Sequence, residues 1–276
     1  MQIREMISSN EARQFSTEQM RQAFLIENLM MADTISFCYS HYDRFITGGA
    51  VPLKQALKLE THDALRTAHF LDRREMGVLN IGGDGIVEVD SHSFSLASKQ
   101  ALYIGKGSKS VIFRSEKADD PAKFYLVSTP AHQPYPTQKC ALEQADPTAL
   151  GSDANCNKRT IYKMVHDGGI QSCQLVMGLT VLAEGSIWNT MPCHVHDRRM
   201  EVYFYFELAE NARIVHLMGK PQETRHLVIQ NEQAVISPPW SIHSGCGTSN
   251  YSFIWAMAGE NKDFTDMDMV EMAELK

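Results

Sequence analysis

The stretch "PCHVHDRRMEVYFYF", residues 192–206, carries the strongest structural and chemical signal in the chain. His194 and His196 lie two residues apart, and side chains two apart on a strand point to the same face. Glu201 would have the wrong parity on one continuous strand with these histidines. A turn or bulge over the tetrad "DRRM" (197–200) would carry Glu201 onto the next strand, facing the same interior. The pattern therefore predicts a corner where two imidazoles and one carboxylate converge.

The aromatic segment that begins at Glu201 alternates with a period of two. Tyr203 and Tyr205 share the face of Glu201, and apolar side chains occupy the other face. A face with one carboxylate and two phenols is typical of a polar pocket rather than a dry core. We therefore predict that Tyr203 and Tyr205 donate hydrogen bonds or protons in this pocket. The alternative is that they are packing residues with a hydrated hydroxyl.

A fourth candidate ligand follows in "ISPPWSIHSG", residues 236–245, where His243 comes after a Pro-Pro turn. Three neutral imidazoles and one carboxylate suit Zn, Mn, Fe or Ni and leave a coordination position for water or substrate. The alternative for the two neighbouring histidines alone is an exposed, hydrogen-bonded hairpin. With all four residues at these spacings, we predict a metal site of catalytic type, held by His194, His196, Glu201 and His243.

Composition excludes several classes of protein. The chain has 276 residues and a net charge of -7, which argues against nucleic acid as a partner. The start, "MQIREMISSNEARQF", lacks the apolar region of a signal peptide, and no stretch approaches the roughly 18 apolar residues of a membrane span. Six cysteines occur without a C-x-x-C pair, which is typical of reduced thiols. We expect a cytoplasmic protein without a membrane partner.

Short apolar runs separated by Gly, Pro, Asn and Asp dominate the chain from about residue 30, as in "MGVLNIGGDGIVEVD" (76–90). They predict a mainly β fold. Near the start, Ser16 and Gln19 in "STEQMRQAF" form a capping box and predict a short helix. Residues 130–159, rich in Pro, Asp, Asn and Ser, predict a long connection with one helical turn.

Two parts of the sequence are similar to each other, which indicates an internal duplication. Residues 69–85 match residues 194–210, including a shared Asp-Arg-Arg, and residues 101–113 match residues 234–246 in the same order. We predict two small β barrels or sandwiches, since closure removes exposed sheet edges. The predicted domains are 1–150 and 151–276.

The N-terminal repeat lacks the metal pattern. His69 lies under His194, but Leu71 lies under His196 and Ser110 under His243. One histidine cannot hold a metal, so we predict a metal site in the C-terminal domain only. Glu75 in the N-terminal repeat is interpreted as the ion-pair partner of an arginine in "DRR", and the alternative is that it lines a pocket.

The spacing H-x-H-x4-E, followed about forty residues later by P-x4-H, is the two-part signature of the cupin superfamily. Here it comprises His194, His196, Glu201, Pro238 and His243, and a tryptophan replaces the usual glycine in the second part. Longer blocks, such as "GLTVLAEGSIWNTMPCHVHDRRMEVYFYF" and "GKPQETRHLVIQNEQAVISPPWSIHSG", resemble the 5-keto-4-deoxyuronate isomerases. "REMGVLNIGG" and "ALYIGKG" are similar to the N-terminal half of that family.

The resemblance implies two tandem jelly-roll-like cupin barrels, with short helices at the ends and in the connection. It implies one Zn²⁺ per chain on the C-terminal barrel, bound by the four predicted ligands, and assembly as a homo-oligomer, commonly a hexamer. The implied activity is aldose–ketose isomerisation of 5-dehydro-4-deoxy-D-glucuronate to 3-deoxy-D-glycero-2,5-hexodiulosonate, in pectin and uronate catabolism. The alternatives are a cupin dioxygenase using iron and a sugar-binding cupin without catalysis.

A uronate substrate carries a carboxylate that needs a cationic partner. Arg225, in "PQETRHLVI", is our candidate for substrate binding, because a guanidinium can hold a carboxylate with two hydrogen bonds. The alternative is a solvated arginine or an ion pair at a subunit interface. Glu201, Tyr203 and Tyr205 are the candidates for catalysis, and the sequence leaves open whether a tyrosine or a metal-bound hydroxide carries the proton.

Overall fold

The computed structural model describes residues 1–276, and its regular structure is mostly β. The helices are α1 (Ser9–Ala12) and α2 (Thr17–Phe24), with single 3-10 turns at Tyr42–Arg44, Asp63–Leu65, Leu142–Gln144 and Met272–Glu274. None of the helices has the length and apolar character that crossing a bilayer would require.

The first half of the chain contributes twelve strands. They are β1 (Gln2–Arg4), β2 (Leu25–Ile26), β3 (Ile35–Ser40), β4 (Ile46–Ala50), β5 (Leu57–Lys58), β6 (Arg74–Asn80), β7 (Gly85–Val89), β8 (His92–Leu96), β9 (Ala101–Ile104), β10 (Val111–Ser115), β11 (Phe124–Pro130) and β12 (Gln138–Cys140). All except β2 form a seven-stranded sheet, in the order β1-β3-β4-β11-β6-β9-β12, and a four-stranded sheet, in the order β5-β10-β7-β8. Apolar residues of both sheets share one core, so they pack face to face.

The second half contributes the other twelve. They are β13 (Pro147–Leu150), β14 (Arg159–Val165), β15 (Val176–Leu182), β16 (Trp188–Asn189), β17 (His194–Val195), β18 (Arg199–Phe206), β19 (Ile214–Lys220), β20 (Glu223–Ile229), β21 (Gln233–Ser237), β22 (Ser244–Gly247), β23 (Ser252–Gly259) and β24 (Asp268–Met269). Together with β2 of the first half, they form a seven-stranded sheet, β13-β14-β15-β23-β18-β21-β2, a four-stranded sheet, β16-β22-β19-β20, and the pair β17-β24.

The two halves repeat one topology. β6 and β18, the strands that follow the Asp-Arg-Arg of each repeat, both occupy the fifth position of a seven-stranded sheet, beside β11 and β23 respectively. The four-stranded sheets match in the same way. The structure therefore confirms the predicted duplication and the mainly β, jelly-roll-like fold. Each unit consists of two facing sheets whose hydrogen bonding does not close into a barrel.

The seven-stranded sheets of the two units pack against each other through their outer faces. Along β11, Phe124 and Leu126 face the core of the N-terminal unit, whereas Tyr125 and Val127 belong to the core shared with the C-terminal sheet. The ring of Tyr125 stacks on that of Phe204, with centroids 4.4 Å apart. Because this contact covers the second face of each large sheet, strands such as β23 are apolar on both faces.

Glu75 lies in this contact between the units, and its predicted ion pair with an arginine is wrong. Its buried carboxylate accepts hydrogen bonds from the amides of Cys173, Gln174 and Leu175 at 2.7–2.8 Å, and from the Tyr103 hydroxyl at 2.6 Å. These donors replace the water that a buried carboxylate loses. Glu75 therefore links β6 of one unit to the segment that precedes β15 of the other.

The N-terminal segment crosses to the C-terminal unit. β2 pairs with β21, with Leu25 opposite Val235, and closes the edge of the second seven-stranded sheet. The preceding helix α2 is the predicted one, since Ser16 and Gln19 form a reciprocal capping box. Its buried residues include Phe24, whose ring meets that of Trp240 edge to face.

The connection predicted over 130–159 contains more structure than expected. It includes the predicted single helical turn, at Leu142–Gln144, but also β12 and β13, which join opposite units. The chain thus passes from the first pair of sheets to the second between Cys140 and Pro147. The predicted domains, 1–150 and 151–276, remain a proposal, and the crossing of β2 shows that sheet membership does not follow the chain order throughout.

Candidate metal centre

The two histidines of the opening stretch lie where β17 ends. His194 pairs with Met269 of β24, and His196 follows the strand directly. The chain then turns at residues 197–198, where the Arg199 amide donates to the His196 carbonyl at 3.0 Å, and β18 begins. The predicted turn is therefore present, and it carries Glu201 onto a new strand facing the histidines.

The four predicted ligands converge on one point. The Oε2 atom of Glu201 lies 2.9 Å from Nε2 of His243 and 3.1 Å from Nε2 of His196. Nε2 of His194 lies 3.0 Å from Nε2 of His243. All four ligand atoms lie within 4.8 Å of one another, and only His194 is partly exposed. Three nitrogens and one oxygen in this space form a donor set typical of transition-metal sites in proteins.

The hydrogen bonds on the far side of the rings test whether a metal fits. The Nδ1 atom of His196 lies 2.9 Å from the Arg199 carbonyl, which can only accept, so Nδ1 carries the proton. For a neutral imidazole, Nε2 then presents a lone pair to the Glu201 oxygen 3.1 Å away. Two acceptors at this distance repel each other unless a proton or a metal ion lies between them. The residues therefore fit a divalent cation.

The protonation states of His194 and Glu201 suit a metal. Burial lowers the pKa of His194 to about 3, helped by the neighbouring His243, so this imidazole is neutral at pH 7. Burial opposes the charge on Glu201, but the attraction and hydrogen bonds of His196 and His243 outweigh it and hold the pKa of the carboxyl well below its usual range. Neutral imidazole and ionised carboxylate are the forms that bind metal. Burial opposes the charge on His196, but the hydrogen bond and charge of Glu201 outweigh it and raise the pKa of His196, so a metal would have to displace its proton.

A cavity of about 240 Å³ opens beside the cluster. Its walls are largely apolar, and its polar groups come from His194, His196, Arg159, Arg199, Glu201, Tyr203, Thr180 and Thr190. The Tyr203 hydroxyl lies 3.0 Å from Oγ1 of Thr190. Burial raises the pKa of Tyr203 well above its usual value, so the hydroxyl keeps its proton. An apolar cleft with a few convergent polar groups is the usual form of a small-molecule site.

Two other predicted residues lie outside this cavity. Tyr205 is buried on the same face of β18, but its hydroxyl contacts Nδ1 of His216 at 2.7 Å instead of lining the pocket. Arg225 is not brought to the site. It lies on β20, and its guanidinium donates to the carbonyls of Arg13 and Phe15 beside a different cavity. The structure therefore gives no support to Arg225 as the partner of the substrate carboxylate.

The cationic groups of the pocket, Arg159 and Arg199, are not among the predicted substrate-binding residues, although Arg199 belongs to the Asp-Arg-Arg of the repeat. Arg159 opens β14, and its Nη1 donates to the Asn157 carbonyl at 2.8 Å. Arg199 is fully buried and donates to the carbonyls of Asp263 and Asp266. The only sequence signal for Arg159 is a charged residue at the start of a strand. That signal is common, and it does not show which pocket the strand borders.

The equivalent position in the N-terminal unit is apolar. Leu71, which matches His196 in the repeat, is buried in the N-terminal core, and Met76 of β6 packs in the same core. His69 is partly exposed and pairs with Asp72 at 3.2 Å. These contacts agree with the prediction that the four-ligand set occurs once in the chain.

Two tandem jelly rolls, one of them with a three-histidine, one-glutamate cluster, define the chain as a bicupin. The KduI/IolB family matches residues 25–273, and the chain belongs to this family. Curated proteins called 4-deoxy-L-threo-5-hexosulose-uronate ketol-isomerase are similar over the whole chain. The protein of Shouchella clausii is 56% identical over 100% of both chains, and that of Caldicellulosiruptor bescii is 53% identical over 100% of both chains.

Solved structures support the fold. An IolB-like protein from Salmonella typhimurium superposes with a TM-score of 0.72 at 13% identity, over 90% of this chain and 96% of that one. Oxalate decarboxylase of Bacillus subtilis, described with Mn(II) centres, gives a TM-score of 0.55 at 12% identity, over 81% of this chain and 71% of that one. At these identities the likeness concerns the cupin fold alone.

Proposed function

We propose that this protein is a ketol-isomerase that converts 5-dehydro-4-deoxy-D-glucuronate to 3-deoxy-D-glycero-2,5-hexodiulosonate, as its sequence resemblance implied. The observation that carries the proposal is the convergence of His194, His196, Glu201 and His243 at a partly apolar pocket. The ketol-isomerase name of relatives at 53–56% identity supports the same reaction. A role in pectin and uronate catabolism follows from this substrate.

We propose one divalent cation per chain at this cluster, with Zn²⁺ as the first choice and Mn, Fe or Ni as ions that the same donors suit. When bound, such a cation would act as a Lewis acid toward the carbonyl and hydroxyl oxygens of the substrate. The reaction moves hydrogen between adjacent carbons without a net change of oxidation state. A redox-inert ion is therefore sufficient.

The residues of the pocket have separate roles in this proposal. Arg159 holds the substrate carboxylate, since it is a cation at the pocket wall with unused donors. Tyr203, whose hydroxyl stays protonated, donates a hydrogen bond or proton to a substrate oxygen. Glu201 is a candidate proton carrier because its second oxygen, Oε1, has no hydrogen bond from the protein. Tyr205 helps to position the ring of Tyr203, since the two rings contact edge to face.

The test is to incubate metal-loaded protein anaerobically with the product of unsaturated-galacturonate breakdown and to follow the mixture by NMR. We expect the ketose product to form without oxygen. In D2O, deuterium entering the product carbon would show proton transfer, while full retention of the original hydrogen would indicate a hydride shift. A strict requirement for oxygen would favour a dioxygenase, and binding without turnover would favour a sugar-binding cupin.

We propose a homo-oligomer, a hexamer, on the ground of the family resemblance alone. Strands that are apolar on both faces, such as β23, give this proposal no further support, because the contact between the two units already covers them. Sedimentation at micromolar concentration tests it, and a monomer would contradict it. A cytoplasmic location likewise remains a prediction.

A further inference from the structure

A second polar cavity lies at the edge of the N-terminal unit, and three arginines dominate it. It encloses about 220 Å³ and is lined by Arg44, Arg73, Arg74, Tyr39, Thr67 and apolar residues of the same region. No aspartate or glutamate is among its lining residues. We call this cavity the arginine pocket. The residues that line the arginine pocket therefore have a strong excess of positive charge.

Arg74 is the most informative residue of the arginine pocket, because it is only 5% exposed and has no acidic partner. Its Nε donates to the Ser128 hydroxyl at 3.1 Å, and its Nη2 donates to the carbonyls of Ser128 and Arg44. Nη1 makes no hydrogen bond within the protein. None of the ion pairs in the chain includes Arg44, Arg73 or Arg74. Burial lowers the pKa of Arg74 to about 10, which leaves it charged at pH 7.

The internal duplication provides a matched comparison. Arg73 and Arg74 correspond to Arg198 and Arg199 of the C-terminal repeat. β11 and β23 occupy the same position in the two seven-stranded sheets. The segment that follows β23 supplies acids to the C-terminal arginines, since Arg198 pairs with Asp266 at 2.6 Å and with Asp268 at 2.8 Å. The negative charges of Glu201 and Asp266 also lie near Arg199.

The loop in the same place of the N-terminal unit, residues 131–137, is "AHQPYPT" and contains no acid. The arginine pair is thus present in both repeats, but acids lie beside it only in the C-terminal unit, where Arg198 forms ion pairs and Arg199 has carboxylates nearby. A buried charge without a partner is costly, and such charges in folded proteins are normally compensated. The missing partner of Arg74 is therefore expected to come from outside the chain segment that forms the pocket.

We propose that the arginine pocket binds a small organic carboxylate, held by Arg73 and Arg74 and covered on one side by Tyr39. The free Nη1 of Arg74 and the unpaired guanidinium of Arg73 offer the charge-assisted donors that a carboxylate accepts. The apolar wall, which includes Phe70 and Pro130, suits the carbon skeleton of an organic acid better than a bare inorganic ion. At about 220 Å³ the pocket is close in volume to the cavity beside the metal cluster, which suits an acid of about the size of a hexuronate.

The test uses D-glucuronate as the probe, with D-glucose and inorganic phosphate as comparison ligands, in titration calorimetry on the metal-loaded full-length protein. Arg73→Gln is the test variant, because Arg73 is exposed and we expect its replacement to leave the fold intact. Arg114→Gln is its control, since it removes an equal charge from the same unit at an arginine paired with Glu88. His196→Ala separates this binding from binding at the metal centre.

We expect glucuronate to bind to His196→Ala, Arg73→Gln to weaken that site about tenfold or more, and Arg114→Gln to leave it unchanged. A lost hydrogen bond to a charged group corresponds to roughly this factor. Loss of binding in His196→Ala, or unchanged affinity in Arg73→Gln, would overturn the assignment. So would equal affinity for glucose, which lacks the charge, or for phosphate, which lacks the carbon skeleton. The proposal is independent of the isomerase reaction.

Discussion

His196 and His243 each present one imidazole nitrogen to Glu201 from a buried position. Replacement of either histidine by alanine removes a candidate ligand. Loss of a residue that only supports a ligand lowers metal affinity by roughly 10–100-fold, so we expect at least this fall here. Elemental analysis after dialysis and the isomerisation rate measure the effect. His69→Ala is the control, because His69 pairs with Asp72 near the surface of the other unit. Tight binding retained in both test variants would place the metal elsewhere.

The two tyrosines of β18 are chemically alike but differ in position. The Tyr203 hydroxyl lines the pocket beside Thr190, whereas the Tyr205 hydroxyl contacts His216 outside it. We expect Tyr203→Phe to lower kcat by about 10²–10⁴-fold, the usual contribution of a positioned proton donor. Tyr205→Phe, which removes a buried hydroxyl of the same kind, should lower kcat less than tenfold. Equal losses in steady-state kinetics would deny Tyr203 a special role.

The sequence predicted the clustering of the four candidate ligands better than it predicted the other residues of the pocket. His194, His196, Glu201 and His243 follow a spacing that is fixed by one turn and two neighbouring strands, so a local pattern contains most of the geometry. Arg159 reaches the same cavity from β14, which adjoins the site only through the order of strands in the sheet. No local spacing contains that information, so the sequence does not distinguish Arg159 from Arg225 as the partner of the substrate carboxylate.

Among the elements, α2 is the one whose start was predicted from a capping box. Ser16 accepts from the Gln19 amide, and the Gln19 side chain accepts from the Ser16 amide at 2.8 Å. Ser16→Ala should lower the free energy of unfolding by about 1 kcal/mol, the usual cost of losing such a cap. Denaturant unfolding measures it. Ser91→Ala, at an exposed loop position, should change it by less than about 0.5 kcal/mol. If the two variants are equally stable, the cap does not stabilise the helix.

The elements that the sequence did not predict are short strands with distant partners. β24 has two residues and pairs with β17, some seventy positions earlier, while β2 pairs with β21 across most of the chain. Two residues are too few to show alternation. Their strand conformation is set by an available sheet edge, which exists only after the rest of the unit has folded. The longer strands, such as β18 and β23, have an alternating or continuous apolar pattern of their own and were predicted.

At the scale of the whole molecule, Glu75 joins the two units through one buried carboxylate. A glutamine side chain has nearly the same shape as glutamate. Its NH2 group, however, is a donor and would face the backbone amides and the Tyr103 hydroxyl, which are donors too. We expect Glu75→Gln to destabilise the protein by at least about 2 kcal/mol, since hydrogen bonds to a charged group contribute about 1.5–3 kcal/mol each. The measurement is the denaturant midpoint. Glu88→Gln, which breaks an ion pair with Arg114 at the surface, should cost less than about 1 kcal/mol. Equal midpoints for the two variants would show that Glu75 does not stabilise the contact.

The duplicated architecture also predicts the metal content of the chain. Both units place an equivalent strand at the same position of an equivalent sheet, but the C-terminal strand begins beside His196 and carries Glu201, whereas the N-terminal core has Leu71 and Met76 there. Apolar side chains offer no electron pair to a divalent ion, so duplication of the fold does not duplicate the site. We expect elemental analysis of the purified protein to find about one divalent ion per chain. His243→Ala should abolish that ion, and Ser110→Ala, at the matching position of the other repeat, should leave it in place. Two equivalent ions per chain would contradict a bicupin in which only the C-terminal unit binds metal.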